Sequence, residues 1–456
     1  MKKLETRHAL VVGMEASGKA AAAFLRSKGV EVTAADLKPA DPSIVQQTND
    51  LFNGPFDLIV TSPGVPYDLA GLNRARARGV RVIGEVELAA PFLRGNTIAI
   101  TGSNGKTTTT SLVAHLLREN GVPMLLGGNI GRPVIDMVEA SRPGQWNVLE
   151  LSSFQLETFE TFRVHIAVGL NLTQNHLDRH HTMEAYATAK GRMFELQTKD
   201  DYAVLNYADD YCREWSKLTP ARITWFNSAA GWRIHDRQLL FGKYRLMAFE
   251  DIPIRGRHNA ENTMAAAAAA HLAGVPFASL APAIRSFHAV EHRLEFVRRV
   301  NGIDFYNDSK ATSVDATLKA LDSFAGNLWV ILGGKDKGSD YRVLQAPLRE
   351  KAKGVLLIGK AASLIAEHLE NAVAVTNSET LDNAVRQAFA QAKPGDTALL
   401  APACASYDQF KSYEHRGESF KHVVGELQNN GKPHQNRLDP FYDGHPACLL
   451  RSRDDL

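Results

Sequence analysis

Thr97-Ile98-Ala99-Ile100-Thr101-Gly102-Ser103-Asn104-Gly105-Lys106-Thr107-Thr108-Thr109-Thr110 reads as a strand that runs through a glycine loop into a helix. The β-prone run Ile98, Ala99, Ile100 leads into the loop, and Leu112, Val113, Leu116 and Leu117 form the buried stripe of the helix. Glycine lets backbone N–H groups turn towards an anion, and the helix N-terminus adds partial positive charge. Lys106 is placed to reach the β- and γ-phosphates and the Thr107 hydroxyl to sit on Mg²⁺. Ile100 stands where the first glycine of G-x-x-x-x-G-K-[ST] belongs, so the loop is a variant with Gly102 two places late. A plain Gly/Ser turn before a helix is the alternative. Gly-Lys-Thr at a strand-to-helix junction favours a nucleoside triphosphate site.

The surrounding chain has 456 residues, which suggests roughly three domains. Its 52 basic and 50 acidic side chains balance, so no global field favours nucleic acid or an anionic membrane. Cys212, Cys404 and Cys448 are too scattered for a disulfide framework or zinc cluster, which fits a reducing cytoplasm. No apolar run approaches the ~20 residues of a membrane span, and there is no signal-peptide core.

Before the loop, residues 8–12 predict a buried strand, followed by Gly13-Met14-Glu15-Ala16-Ser17-Gly18, a helix and a strand ending at Asp36. This is a Rossmann-like start, but Glu15 stands where a dinucleotide fingerprint wants its second glycine. A smaller anion or a nucleotide sugar suits the crevice better. A strand over 57–61 ends in Thr61-Ser62-Pro63-Gly64-Val65, again aiming backbone at that crevice. The first domain is predicted to close near Phe92, giving bounds of 1–92.

After the loop, a strand at 122–126 precedes Gly127-Gly128-Asn129-Ile130-Gly131, and a strand at 147–151 carries Glu150 at its end. A carboxylate two strands further along the chain is placed like the metal-holding acid of phosphate-loop enzymes, a helix N-terminal charge being the ordinary reading. Asn171-Leu172-Thr173-Gln174-Asn175-His176-Leu177-Asp178-Arg179-His180-His181 at a strand's carboxyl end predicts a metal or catalytic loop. Lys190, on the helix over 182–197, reads by itself as a solvated lysine. Residues 202–254 lose the helical period and predict an antiparallel appendage. Asn259 and Asn262 open an alanine-rich helix at i,i+3, where amides could meet an adenine edge or cap the helix. The βα alternation restarts near 290, with polar motifs after three strands: Asn307-Asp308-Ser309-Lys310, Gly333-Gly334-Lys335-Asp336-Lys337 and Pro402-Ala403-Cys404-Ala405-Ser406-Tyr407-Asp408. Ligands bind at such strand ends. The central domain is therefore read as 93–290 and the third as 291–428, with 429–456 an unstructured tail.

The Gly-Ser-Asn-Gly-Lys-Thr-Thr loop, together with Glu150, His176, Lys190, His292-Arg293 and residues 307–310, resembles the Mur ligases, the ATP-dependent amide-bond formers of peptidoglycan synthesis. The resemblance covers residues 8–428. Residues 150–157, Ser62-Pro63-Gly64-Val65, Asn129-Ile130-Gly131 and the stretch 402–417 are similar to the D-glutamate-adding branch of that family. The fold it implies is α/β with three domains: Rossmann-like, phosphate-loop ATPase-type and Rossmann-like. The activity it implies joins D-glutamate to UDP-N-acetylmuramoyl-L-alanine through an acyl phosphate, in a cytoplasmic monomer that neither enters a membrane nor binds nucleic acid.

Residue by residue, the resemblance implies ATP contacts from Gly102, Ser103, Asn104, Gly105, Lys106, Thr107, Thr108, Asn259, Asn262, Arg293, Asp308 and Lys310. Lys310 approaches the transferred phosphoryl group. Two Mg²⁺ sites are implied, one on Thr107 and Glu150, the other on His176 and a CO₂-derived carbamate of Lys190. Lys106, Glu150, His176, Lys190 and Lys310 are then the catalytic set. Ser17, Asp36, Leu37, Lys38 and Gly64 would hold the uridine nucleotide, with Asn129, Ser152 and His176 towards the muramoyl end. Lys337, Ser406, Tyr407 and Tyr413 would hold D-glutamate. A sibling adding a diamino acid would carry another motif at 402–410, and a folylpolyglutamate synthetase would lack the first Rossmann-like domain. A nucleotide-gated binding protein would leave 402–417 unexplained.

Overall fold

The short apolar runs are buried on both faces, as strands in a helix-covered parallel sheet must be, and alternate residues feed different cores. In His8–Val12, Ala9 and Val11 face one apolar cluster while Leu10 and Val12 face another. Ile98 and Ile100 divide from Ala99 in the same way, as Val330 and Leu332 divide from Ile331. The computed structural model describes residues 5–39, 41–254, 256–288, 291–336 and 338–428; the tail and Lys337 lie outside the described residues.

Three sheets result. The first has five parallel strands in the order Ile44–Gln46, Glu31–Asp36, His8–Val12, Leu58–Thr61, Arg81–Gly84. The second, of nine strands, runs Tyr244–Ala248, Gln238–Phe241, Trp232–His235, Arg222–Phe226, Tyr202–Asn206, Ile166–Gly169, Asn96–Thr101, Trp146–Glu150, Met124–Gly128. Six strands make the third: Glu295–Val300, Ile303–Asn307, Thr397–Leu400, Leu328–Gly333, Ala352–Ile358, Val375–Glu379, antiparallel only at its first pair.

One expectation needs correction. Residues 202–226 are not an antiparallel appendage, because Tyr202–Asn206 and Arg222–Phe226 continue the central parallel sheet. Only the hairpins over 232–248 are antiparallel. The crossover helix between those parallel strands, Asp210–Trp215, is six residues long, too short to print a helical period on the sequence.

Packing makes the joints unequal. One apolar cluster runs from Ala9 and Val60 through Val86 and Leu88 to Val134, Leu149 and Phe159, so the first and central units share a core. Glu85 lies in that seam and accepts from the Ile135 N–H, and burial raises its carboxyl to about 7. The clusters of the third sheet contain only residues from Leu294 onwards. Its contacts with the phosphate loop are polar: Asn104 Nδ2 donates to Asp315 at 2.6 Å and Arg293 Nη2 to the Thr107 hydroxyl at 3.3 Å. A polar joint exchanges readily for solvent or ligand contacts, whereas an apolar seam does not.

Candidate active site

The phosphate loop leaves Asn96–Thr101 and re-enters as the Lys106–Glu119 helix. Gly105 has φ +84°, and a Cβ there would lie 2.3 Å from Asn262 Oδ1, so both backbone shape and close approach require glycine. Lys106 Nζ folds back on the loop, donating to Gly102 O at 2.8 Å and Ser103 O at 3.0 Å. Burial lowers its pKa to about 8, against the pull of Glu150. The Ser103 hydroxyl is spent on the backbone of Thr173 and on Tyr186, tying the phosphate loop to the 171–176 loop. The Thr107 hydroxyl accepts from Arg293 of the third unit.

Above the loop lies a cavity lined by Asn104, Gly105, Thr108, Asn259, Asn262, Arg293, Asp308 and Lys310. Four stretches far apart in sequence thus converge there. Asn262 Nδ2 donates to Asn259 Oδ1 at 3.1 Å, so the two amides share one face as their spacing requires. Asp308 is buried, and burial raises its carboxyl to about 7 despite Arg293. Lys310 sits 5.0 Å from the Tyr413 ring centroid, its pKa lowered to about 8 by burial. Asp315 and Lys319, which join Asn104 here, escape sequence reading because an acid in a helix's first turn looks like an ordinary end charge.

Glu150 ends the strand immediately beside the phosphate-loop strand, with Ile100 opposite it in register. Its Oε1 accepts from Asn129 Nδ2 at 2.8 Å, and its Oε2 is buried without a partner among the described residues. Arg293 Nε is likewise buried and unpartnered. An orphaned carboxylate oxygen within electrostatic reach of Lys106 and Lys190 is a hard-oxygen donor of the kind that suits Mg²⁺.

Lys190 is not the surface residue that its isolated reading suggests. It is 1% exposed, with Nζ 3.0 Å from Gly102 O and 3.3 Å from Thr101 Oγ1. Burial first and then Lys106 hold its pKa well below the ordinary lysine value. His176 has φ +55° at the start of the Leu177–His180 turn, its ring edge-on to Phe154 at 4.9 Å.

A second cavity, of about 540 Å³, opens at the carboxyl ends of the first sheet. Ser17, Asp36, Leu37, Gly64 and Asn129 line it, while Lys38, Ser152 and His176 are not among its walls. Glu15, Gln47 and Gln155 line it too and were missed; a lone Glu or Gln in a loop carries no signal. Both Asp36 oxygens accept backbone N–H groups, from Met14 at 2.6 Å and Lys38 at 2.9 Å, and the Lys38 bond leads in lowering its pKa. Asp36 thus also shapes the loop that it ends. Ser152 makes a capping box with Gln155, which fixes the turn after Glu150.

In the third unit Ser406 is 2% exposed and Tyr407 69% exposed, so one faces inward and the other solvent. Tyr413 opens the Tyr413–Glu426 helix on the cavity side, against Lys310.

Residues 7–84 match the N-terminal domain of MurD-like Mur ligases, 100–270 the Mur ligase middle domain, and 292–404 the glutamate ligase domain of Mur ligases. A protein of Solibacter usitatus, named UDP-N-acetylmuramoylalanine--D-glutamate ligase, is 62% identical over 440 residues, covering 93% of this chain and 99% of that protein. The protein of the same name from Acidobacterium capsulatum is 48% identical, covering 92% and 97%. Among solved structures, a pseudomurein peptide ligase type C of Methanothermus fervidus shares the fold, with TM-score 0.59, 16% identity and coverage of 92% and 99%. So does the UDP-N-acetylmuramate-alanine ligase of Thermotoga maritima, with the same TM-score of 0.59 and 16% identity, again over 92% and 99%.

Proposed function

We propose a residue-level reaction for this chain, which belongs to the Mur ligase family and is an ATP-dependent amide ligase of peptidoglycan synthesis. It joins D-glutamate to UDP-N-acetylmuramoyl-L-alanine, releasing ADP and phosphate. The observation that carries the residue roles is that Lys106, Glu150 and Arg293 lie within electrostatic reach of one another, with Arg293 donating to Thr107 and with Glu150 Oε2 and Arg293 Nε buried and without a partner among the described residues.

The L-alanyl carboxylate attacks the γ-phosphorus of ATP, forming one P–O bond as the bond to ADP breaks. Lys106, Arg293 and Lys310 neutralise the charge on the phosphoryl oxygens, and such chemistry is mostly positioning and charge stabilisation. The neutral amine of D-glutamate then adds to the acyl carbon, phosphate leaves, and the nitrogen sheds a proton. Asn259 and Asn262 orient adenine and Asp308 the ribose, with Ser103, Asn104 and Thr108 completing the nucleotide wall. Ser17, Asp36, Leu37, Lys38 and Gly64 hold the uridine nucleotide, while Asn129, Ser152 and His176 orient the muramoyl end. Lys337, Ser406, Tyr407 and Tyr413 hold D-glutamate. The dicarboxylate needs a cation and a hydroxyl, which Lys337 and Ser406 supply.

Thr107 and Glu150 would hold one Mg²⁺, and His176 with a carbamylated Lys190 a second; bound ions would supply charge neutralisation on the polyphosphate. Burial supports the carbamate. A neutral Lys190 amine can add CO₂ and release a proton, which turns a repelling cation into a hard oxygen ligand. We take the protein to be a cytoplasmic monomer that binds neither nucleic acid nor membrane, its domains divided near 92 and 290. Among the described residues no helix is long and apolar enough to cross a membrane. The acyl phosphate is tested by labelling the alanyl carboxylate of the substrate with ¹⁸O. The label is expected in the released phosphate, and phosphate free of label would overturn the mechanism.

A further inference from the structure

Outside the roles above, the central unit holds a hydroxyl–imidazole–carboxylate chain. Ser153 Oγ is 2.9 Å from His180 Nε2, and His180 Nδ1 is 3.1 Å from Glu157 Oε1. Arg179 Nη2 then reaches both Glu157 Oε2 and the carbonyl of Val65, each at 2.8 Å. This is the order of a serine nucleophile's relay. Yet Ser153 is 2% and His180 6% exposed, and Ser153 is the first residue of the Ser153–Leu156 turn, so no substrate reaches the hydroxyl. The chain is a strut.

What it joins matters. Ser153 and Glu157 bracket the turn that follows Ser152 and carries Gln155 into the UDP-sugar cavity. His180 closes the turn opened by His176, its backbone N–H bonding the His176 carbonyl at 2.9 Å. The His180 ring stacks on Phe154 at 5.5 Å, and Phe154 meets His176 edge-on from its other partner contact at 4.9 Å. Tyr186 lies 5.0 Å from His180 and hydrogen-bonds Ser103 of the phosphate loop at 3.2 Å. Val65, at the far end, lines the cavity of the first unit.

We propose that His180 is a positioning residue for ligation: bridging Ser153 and Glu157, it locks the His176 turn against the Ser152 turn and ties both, through Arg179, to the first-unit loop that receives the UDP sugar. The inference rests on the roles given above to His176 and Ser152. Groups that orient a metal ligand or substrate contact without touching either commonly carry part of the affinity.

The test measures equilibrium binding as well as turnover, on the full chain, for His180→Ala, His180→Asn, Ser153→Ala and His176→Ala. Binding of UDP-N-acetylmuramoyl-L-alanine is read by calorimetry, and of Mn²⁺, as a paramagnetic substitute for Mg²⁺, by electron paramagnetic resonance. His180→Ala should weaken both by about tenfold, the usual size of a loss at a residue behind a metal ligand. KM for D-glutamate should stay within about twofold, because that substrate binds the third unit. His180→Asn, whose amide can still donate to Glu157, should recover part of the loss. Ser153→Ala should shift the same constants in the same direction, and it decides the matter should His180→Ala not fold. Unchanged binding in these variants, or an equal shift in every constant, would overturn the inference. If His176→Ala leaves Mn²⁺ binding intact, the fault lies with the role given to His176 instead.

Discussion

Lys190→Ala should lower turnover by about 10²–10³-fold, the usual size of an effect when one preorganised charge-stabilising group is removed. Added bicarbonate should leave that variant inactive, since it has no amine to carry a carbamate. Formate or acetate should restore part of the rate by placing a carboxylate in the space vacated. The physical reasons lie in the surroundings of the side chain. A lysine 1% exposed and beside Lys106 is a poor place for a cation, and its present acceptors are Gly102 O and Thr101 Oγ1. Carbamylation would exchange the ammonium for oxygen donors where Lys190 lies, against the phosphate loop. Steady-state phosphate release with and without added formate or acetate checks this. Full activity in the alanine variant would refute the carbamate role.

Arg416→Ala should unfold or loosen the third unit, costing about 3–5 kcal/mol by analogy with other losses of a large buried side chain and its hydrogen bonds. Arg416 is 0% exposed. Its guanidinium donates to the Ser309 hydroxyl at 3.0 Å, Ser309 O at 2.8 Å, Cys404 O at 3.2 Å and Gly333 O at 3.5 Å. Those acceptors stand on the three strand-end motifs of the third sheet, at 309, 333 and 404. One planar donor fork therefore sets the mutual position of loops that would hold two different substrates. Burial lowers its pKa to about 10, so it remains charged at neutral pH. Arg416→Lys should recover only part of the stability, because an ammonium cannot span the same acceptors. Denaturant unfolding followed by tryptophan fluorescence measures both, and a wild-type midpoint for Arg416→Ala would contradict this assignment.

These two residues also mark what local sequence can and cannot say. The phosphate loop was legible because its chemistry is written in consecutive residues: a strand, glycines, Lys106, Thr107 and a helix. The strand-end positions of Glu150 and Asp308 were legible from the βα alternation. Lys190 was not, because its burial comes from the packing of the Met183–Glu195 helix over a loop 88 residues earlier, and nothing within one helical turn reports that. Its role was reached only through resemblance. Arg416 stood inside a quoted motif without a function, since its partners lie at 309, 333 and 404. The parallel pairing of Tyr202–Asn206 was misread because strand order is set by a crossover, not by the strand's own residues. His180 showed only as one of several polar loop residues until Ser153 and Glu157 were seen on either side of it.

The central claim is that the chain adds D-glutamate and no other amino acid. Its most direct test is phosphate release by the full-length protein with ATP, Mg²⁺ and UDP-N-acetylmuramoyl-L-alanine, while the amino acid is varied among D-glutamate, L-glutamate, L-lysine and diaminopimelate. Release is expected with D-glutamate alone, and only when the UDP sugar is present. Equal turnover with L-lysine or diaminopimelate would contradict the account.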